Sequence, residues 1–208
     1  CSPMKDSASL PPIPIRRGRG AWLEDFEGRR YLDAISSWWV NLFGHANPTI
    51  NAALTEQLGE LEHVILAGFT HEPVLQLSEA LVDVTPPGLS RCFYADNGSS
   101  AIEVAVKMSY HDWLNRGLPD KTRFATLANG YHGETLGALA VGDVELYKDT
   151  YRPLLMDTVT VPSPDCWHRD DGEAGAACGR RQFGHRERTL AAQAVQLCAG
   201  GVGPLVEC

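Results

Sequence analysis

The chain has 208 residues, 44% of them hydrophobic and 21% charged, the balance of an ordinary globular protein forming one large domain or part of a bigger one. A net charge of −8 argues against a nucleic-acid partner, because proteins that bind a phosphate backbone concentrate Lys and Arg. No apolar run approaches the roughly 18 residues that a membrane span needs, and no signal peptide is visible.

The chain opens on Cys1 rather than Met, which leads us to expect a start upstream. Its six cysteines (Cys1, Cys92, Cys166, Cys178, Cys198 and Cys208) form no CxxC pair and no regular framework, so they read as scattered reduced thiols of a cytoplasmic protein. The seven histidines show no HExxH or comparable spacing, and no metal is expected.

In chain order, Leu10–Ile15 is proline-rich and extended, and Ala21–Phe26 with Arg30–Ile35 alternates as a hairpin across Glu27-Gly28. The adjacent Trp38 and Trp39 follow in a stretch without periodicity. Their side chains are expected to diverge, which leaves two readings: one ring in the core and one at an interface, or an aromatic wall of a ligand pocket. Pro48 sits at the first turn of a helix with Ile50, Ala53, Leu54, Leu58 and Leu61 on one face. A second helix starts at Glu72-Pro73 with Val74, Leu77, Leu81 and Val84 as a buried stripe, and ends before Pro86-Pro87-Gly88. The segment from His63 to His71 between them reads as a surface loop.

The most informative stretch is Arg91–Met108. Arg91–Ala95 reads as a short buried strand, Asp96–Ser100 as a polar turn, and Ala101 to Trp113 as a helix with Ile102, Ala105, Val106 and Trp113 at helical spacing. The first turn of a helix carries unpaired N–H groups and partial positive charge, and glycine admits an anion close to the backbone. Ser99 or Ser100 is free either to cap the helix or to bond a phosphate oxygen. Arg123–Ala128 is the next strand, completing a βαβ unit whose ligand would lie beyond the carboxyl ends of the strands. The turn Asp96–Ser100 and the turn Asn129–Gly133 should therefore face one crevice, with Tyr131 and His132 between two glycines. Further on, Val159–Val161 reads as a strand, Pro162–Gly184 as a loop, Leu190–Cys198 as a helix and Gly200–Val206 as a core strand weakened by three glycines.

Ser36-Ser37-Trp38-Trp39, Gly44-His45-Ala46-Asn47-Pro48, the run from Asp96 to Lys107 and Asn129-Gly130-Tyr131-His132-Gly133 together resemble the class III pyridoxal-phosphate-dependent aminotransferases, over about Leu10 to Val206. The resemblance implies an α/β fold, the fold-type I transferase architecture, with an incomplete large domain. Residues 1–46 would be an N-terminal segment and hairpin belonging to the small domain, and 47–208 a partial cofactor-binding domain. Ser-Ser-Trp-Trp is the narrower motif. It points to the branch of biotin synthesis that moves an amino group from S-adenosylmethionine to 8-amino-7-oxononanoate. By resemblance, Gly98 and Ser99 hold the phosphate of pyridoxal 5'-phosphate, Tyr131 stacks on its ring and borders the substrate, Trp38 lines the substrate pocket, and Trp39 supports it. Members of the family are homodimers.

The same resemblance predicts no catalytic residue in this chain. Lys5, Lys107, Lys121 and Lys148 are its four lysines, and none occupies the family's Schiff-base position, which lies downstream together with the aspartate that pairs with the pyridine nitrogen. The chain alone is expected to be inactive. Two other readings stay open: another class III enzyme acting on ω-amino acids, and a non-catalytic phosphate-binding fragment.

Overall fold

The structure is a computed structural model that describes residues 9–163 and 197–200. It divides into two compact units that change over at Cys92 and Phe93.

The first unit opens with an antiparallel meander of β1 (Ile15–Arg19), β2 (Trp22–Asp25) and β3 (Arg30–Leu32). The hairpin expected across Glu27-Gly28 is there, pairing Trp22 with Leu32 and Glu24 with Arg30, and β1 adds a strand where only extended chain was expected. The hairpin turn is built around one carboxylate. Asp25, 1% exposed, accepts from the N–H groups of Glu27 and Arg29 (both 2.9 Å), from Arg29 Nε at 2.8 Å and from the Tyr31 hydroxyl at 2.9 Å. Burial pushes its pKa up, but these four donors outweigh it and hold the pKa down at about 2.

After β3 comes α1 (Ser36–Trp39), one turn wound left-handed, with φ of 49°, 47°, 68° and 65° in succession. An L-residue in this conformation crowds its Cβ against the following carbonyl, at about 1–2 kcal/mol each, so four in a row need external restraint. Two right-handed helices follow, α2 (Pro48–Glu60) and α3 (Glu72–Val84). Pro48 begins α2 as expected, and the Asn47 side chain caps it by accepting from the Thr49 and Ile50 N–H groups. The helices match the periodicity, but the buried stripe expected for α3 is overturned. Neither contains a buried residue, and Leu54, Leu58 and Leu77 stand 59%, 66% and 49% exposed. Sequence periodicity identifies an apolar stripe, not the surface that covers it.

The second unit holds the apolar core. Here α4 (Gly98–Asn115) and α5 (Leu136–Val141) pack against a parallel sheet in the order β5 (Thr158–Val161), β4 (Arg123–Leu127), β6 (Leu197–Gly200). Ile102, Phe124, Ala138 and Val141 form the core cluster, with Val106 and Trp113 against it. A short helix α6 (Glu145–Lys148) and a 3-10 helix (Asp149–Leu154) lead into β5.

Two expectations need correction, and one element is new. Arg91–Ala95 is not a strand and is largely exposed, Phe93 by 66%. Both edges of β4 are already paired, with β5 and β6, so no ladder position beside it is left. The parallel pairing inferred for β4 exists, but with strands later in the chain. Next, Leu197 and Cys198 belong to β6 rather than to the expected helix from Leu190, whose other residues lie outside the described ones. Finally, α5 had no counterpart in the sequence reading, although four of its six residues are buried.

Candidate functional site

The start of α4 is set by Asn97, not by either serine. Its side chain accepts from the Ser100 N–H at 2.9 Å, and its carbonyl accepts from the Ala101 N–H at 3.1 Å. Gly98 and Ser99 precede the first internal bond of the helix, so their amides are the ones α4 presents outward. A Cβ on Gly98 would meet nothing within 4 Å, so open space lies against this end of an 18-residue helix. An anion there gains both the amides and the helix dipole.

The second expected turn does come to the same place. Gly133 is buried, with φ of +117°, and a Cβ built on it would overlap Ser99 Oγ and come within 3.2 Å of Ser99 Cα. Only glycine lets the Asn129–Gly133 loop close against Ser99 in this way. Within the loop, Asn129 has φ of 62° and is clamped by Asp143, whose carboxylate accepts from the Asn129 N–H at 3.1 Å and whose own N–H donates to Gly130 O at 2.7 Å. Tyr131 projects from the clamped loop 48% exposed, its ring 5.6 Å from that of Tyr147 at 57°. Partial burial raises its pKa, with the neighbouring Glu134 carboxylate adding to the effect, so the phenol stays protonated at neutral pH.

Glu103 ties the two halves of this site together. It sits on α4, and its carboxylate accepts from the Gly137 N–H at 2.8 Å and the Ala138 N–H at 3.2 Å, capping α5 from another helix. A hydrogen bond from Thr135, together with those two amides and the Lys107 charge, lowers its pKa against the opposing effect of burial. Sequence inspection missed Glu103, Asp143 and the capping role of Asn97. Only Asn97 had a local signal, an asparagine directly before the glycine-serine start of the helix. Glu103 and Asp143 find their partners across gaps in sequence that no local pattern spans.

Three lysines are described. Lys107 lies one helical turn from Glu103 and lowers its pKa. The Lys121 ammonium sits 4.7 Å over the Trp113 ring. Lys148 donates to Ala140 O at 3.2 Å and Gly142 O at 2.7 Å, at the carboxyl end of α5.

Trp38 and Trp39 belong to the first unit. They do not diverge: the left-handed turn brings their ring centroids to 5.5 Å, tilted by 58°. Neither ring enters a core, since Trp38 is 66% and Trp39 73% exposed.

Comparison with known proteins identifies the family of the chain. The family model described as "Aminotransferase class-III" matches residues 4–199. The adenosylmethionine-8-amino-7-oxononanoate aminotransferase of Helicobacter pylori is 46% identical over 209 residues, covering 100% of this chain and 45% of that protein. Its counterpart in Geobacter sulfurreducens is 40% identical over 205 residues, covering 98% and 45%. The chain thus spans a little under half the length of these relatives. Among solved structures, the Methanocaldococcus jannaschii enzyme of the same name superposes with a TM-score of 0.83 at 32% identity, over 96% of this chain and 42% of that one. A Pseudomonas jessenii omega transaminase in complex with PMP shares the fold, with a TM-score of 0.83 at 24% identity over 96% and 48%. The chain belongs to the class III aminotransferases, pyridoxal-phosphate-dependent enzymes of fold type I.

Proposed function

We propose that the protein carrying this chain transfers the amino group of S-adenosylmethionine to 8-amino-7-oxononanoate, giving 7,8-diaminononanoate, and that this chain supplies the phosphate cradle and the aromatic wall of the site. The observation that carries the reading is the abutment of Ser99 on Gly133, which joins the two turns that the family resemblance assigns to the cofactor. The residues suit the group. A dianionic phosphate is stabilised by the amides of Gly98 and Ser99 at the N-terminus of α4, and Tyr131 offers a half-exposed ring on a clamped loop.

Bound pyridoxal phosphate supplies the electron sink that transamination requires. The chain's own contribution is placement. Gly98 and Ser99 bind the phosphate, Asn97 keeps the helix end open to it, and Asp143 fixes the backbone from which Tyr131 meets the cofactor ring and borders the substrate. Trp38 lines the pocket for the long alkyl chain of the acceptor, with Trp39 behind it. The narrower choice of substrate is supported by relatives at 46% and 40% identity that carry this activity in their names.

On this reading the Schiff-base lysine and the carboxylate for the pyridine nitrogen come from sequence outside this chain. The division at residues 46 and 47 separates small-domain from cofactor-domain sequence. The protein works as a homodimer in the cytoplasm. The exposed leucines of α2 and α3 support a partner surface there, and among the described residues no helix is long and apolar enough to cross a membrane.

The test is an assay of the full-length protein with S-adenosylmethionine and 8-amino-7-oxononanoate. Formation of diaminononanoate is the expected result. Turnover of an ω-amino acid pair without it would replace this reading with the other class III activity. Borohydride treatment of the 208-residue chain with pyridoxal phosphate should leave no stoichiometric label on Lys107, Lys121 or Lys148. A single fully labelled lysine among them would contradict the assignment.

A further inference from the structure

The tryptophan pair is placed by its backbone rather than by packing. Both rings are mostly exposed, so little surrounding apolar surface holds them. What brings them together is the left-handed turn Ser36–Trp39, whose φ values of 49°, 47°, 68° and 65° no residue there favours intrinsically. None of the four is glycine, so the turn persists only if its surroundings over-determine it.

Those surroundings converge on Asp33. Its Oδ1 accepts from the Ser37 N–H at 2.9 Å, and its Oδ2 accepts from the Ser37 hydroxyl at 2.7 Å and pairs with His45 Nε2 at 2.7 Å. The Asp33 and His45 side chains are 6% and 16% exposed, so this polar group is partly shielded from solvent in an otherwise open region. His45 is fixed in turn by reciprocal backbone bonds with Gly20, at 3.0 and 2.8 Å. Gly44 beside it, with φ of +82°, packs so closely that a Cβ would lie 2.9 Å from Gly20 Cα. The chain on either side of the tryptophans is therefore pinned, by Asp33 before them and by His45 after them. Bonds from the Trp39 N–H to Ile35 O at 2.8 Å and from the Asn41 N–H to Ser36 O at 2.9 Å close the turn.

We propose that Asp33, acting through Ser37 and His45, is a positioning residue that holds Trp38 and Trp39 in the left-handed turn and so sets how the site recognises a long-chain amino acceptor. The second half rests on the assignment of Trp38 to the substrate pocket. The first half does not, because it concerns only what fixes the turn. The carboxylate does no chemistry. It supplies two oxygens to three donors, and a shorter or neutral side chain leaves some of them unmet.

The experiment uses the full-length holoenzyme with Asp33→Ala, Asp33→Asn, Ser37→Ala and Trp38→Phe. The near-ultraviolet circular dichroism of coupled indoles reports the pair directly, and its contribution is the difference between the parent and Trp38→Phe. Asp33→Ala is expected to remove most of that difference and to raise KM for 8-amino-7-oxononanoate at least about tenfold, with kcat and cofactor absorbance little changed. Asp33→Asn keeps one acceptor and should show about a threefold rise, with Ser37→Ala no larger. If Asp33→Ala does not fold, the two milder variants carry the same readout. Full retention of the pair signal in the Asp33 and Ser37 variants would overturn the proposal. So would its loss together with cofactor binding, since that would mark Asp33 as a general structural residue. Loss of the signal while Trp38→Phe itself leaves KM unchanged would sustain the hold on the turn and overturn the place given to Trp38 in the pocket.

Discussion

The two units of this chain are stabilised by different means. From Phe93 onward, burial is mainly apolar: Ile102, Phe124, Ala138, Leu139, Val141 and Val161 are all 4% exposed or less, and Thr126 is the buried polar side chain among the described residues there. Among the described residues up to Cys92, the one that is fully buried is a carboxylate, Asp25. The later unit follows the hydrophobic effect, and its glycines and caps refine a core that already exists. The earlier unit relies on charge-assisted hydrogen bonds at Asp25 and Asp33 to fix turns, while its apolar helix faces remain uncovered. Sequence periodicity produces the same kind of helix in both, so it is context that decides whether a stripe becomes a core.

The largest effect expected from this contrast is at Phe124. Phe124→Ala should cost about 3–5 kcal/mol in the full-length protein, by lost transfer energy plus a cavity, as measured by denaturant unfolding. A loss below 1 kcal/mol would mean that the later unit is not held by its core. Gly133→Ala should cost about 3 kcal/mol, because the methyl group meets Ser99 and the backbone is left-handed, and it should also weaken cofactor affinity in a titration. Gly98→Ala, at an open position, should leave folding unaltered and weaken cofactor binding alone. An equal loss of stability at both glycines would erase the distinction between a packed position and a ligand-facing one.

Acid should separate the units next. Asp25 and Asp33 have pKa values held down to about 2 from an ordinary 3.8, Asp33 chiefly by the Ser37 N–H and hydroxyl. A depressed carboxylate pKa means that its stabilisation is fully present above pH 3.8 and is lost as the pH falls towards 2. Amide signals of the hairpin and of Ser37 should therefore change across that window, before those of β4. Simultaneous loss in both units would show that they respond as one. A smaller effect is expected from Asp143→Ala, about 1 kcal/mol, seen as faster hydrogen exchange at Asn129. The smallest is expected from Leu58→Ala, which at 66% exposure should shift stability by less than about 0.5 kcal/mol in the 208-residue chain. The same substitution costing clearly more in the full-length protein would show that this face is covered there.

Much of the later unit was legible because its signals are local. The helical spacing from Ala101 and the run Arg123–Ala128 mark a helix and a strand, and the two glycine turns stood out by composition. α5 escaped because Leu136–Val141 is a six-residue apolar run, too short and too uniform to show a period. The left-handed turn at Ser36–Trp39 escaped for a different reason: without glycine, nothing in its composition points to positive φ, and its cause lies in Asp33 and His45 on either side. Arg91–Ala95 was misread because a strand requires an edge to pair with, and edges are set by topology rather than by the strand's own residues.

The position of β6 has a consequence for synthesis on the ribosome. β4 can pair with β5 once residue 161 has emerged, but its other edge waits for Leu197–Gly200. At roughly 5–20 residues per second, the intervening stretch takes a few seconds to translate. During that interval β4 presents unpaired N–H and C=O groups to neighbouring chains on the same polysome. The open edge of β4 therefore adds a site for aggregation during the making of this segment, and slower translation between residues 161 and 197 should lower soluble yield before it changes any property of the finished enzyme.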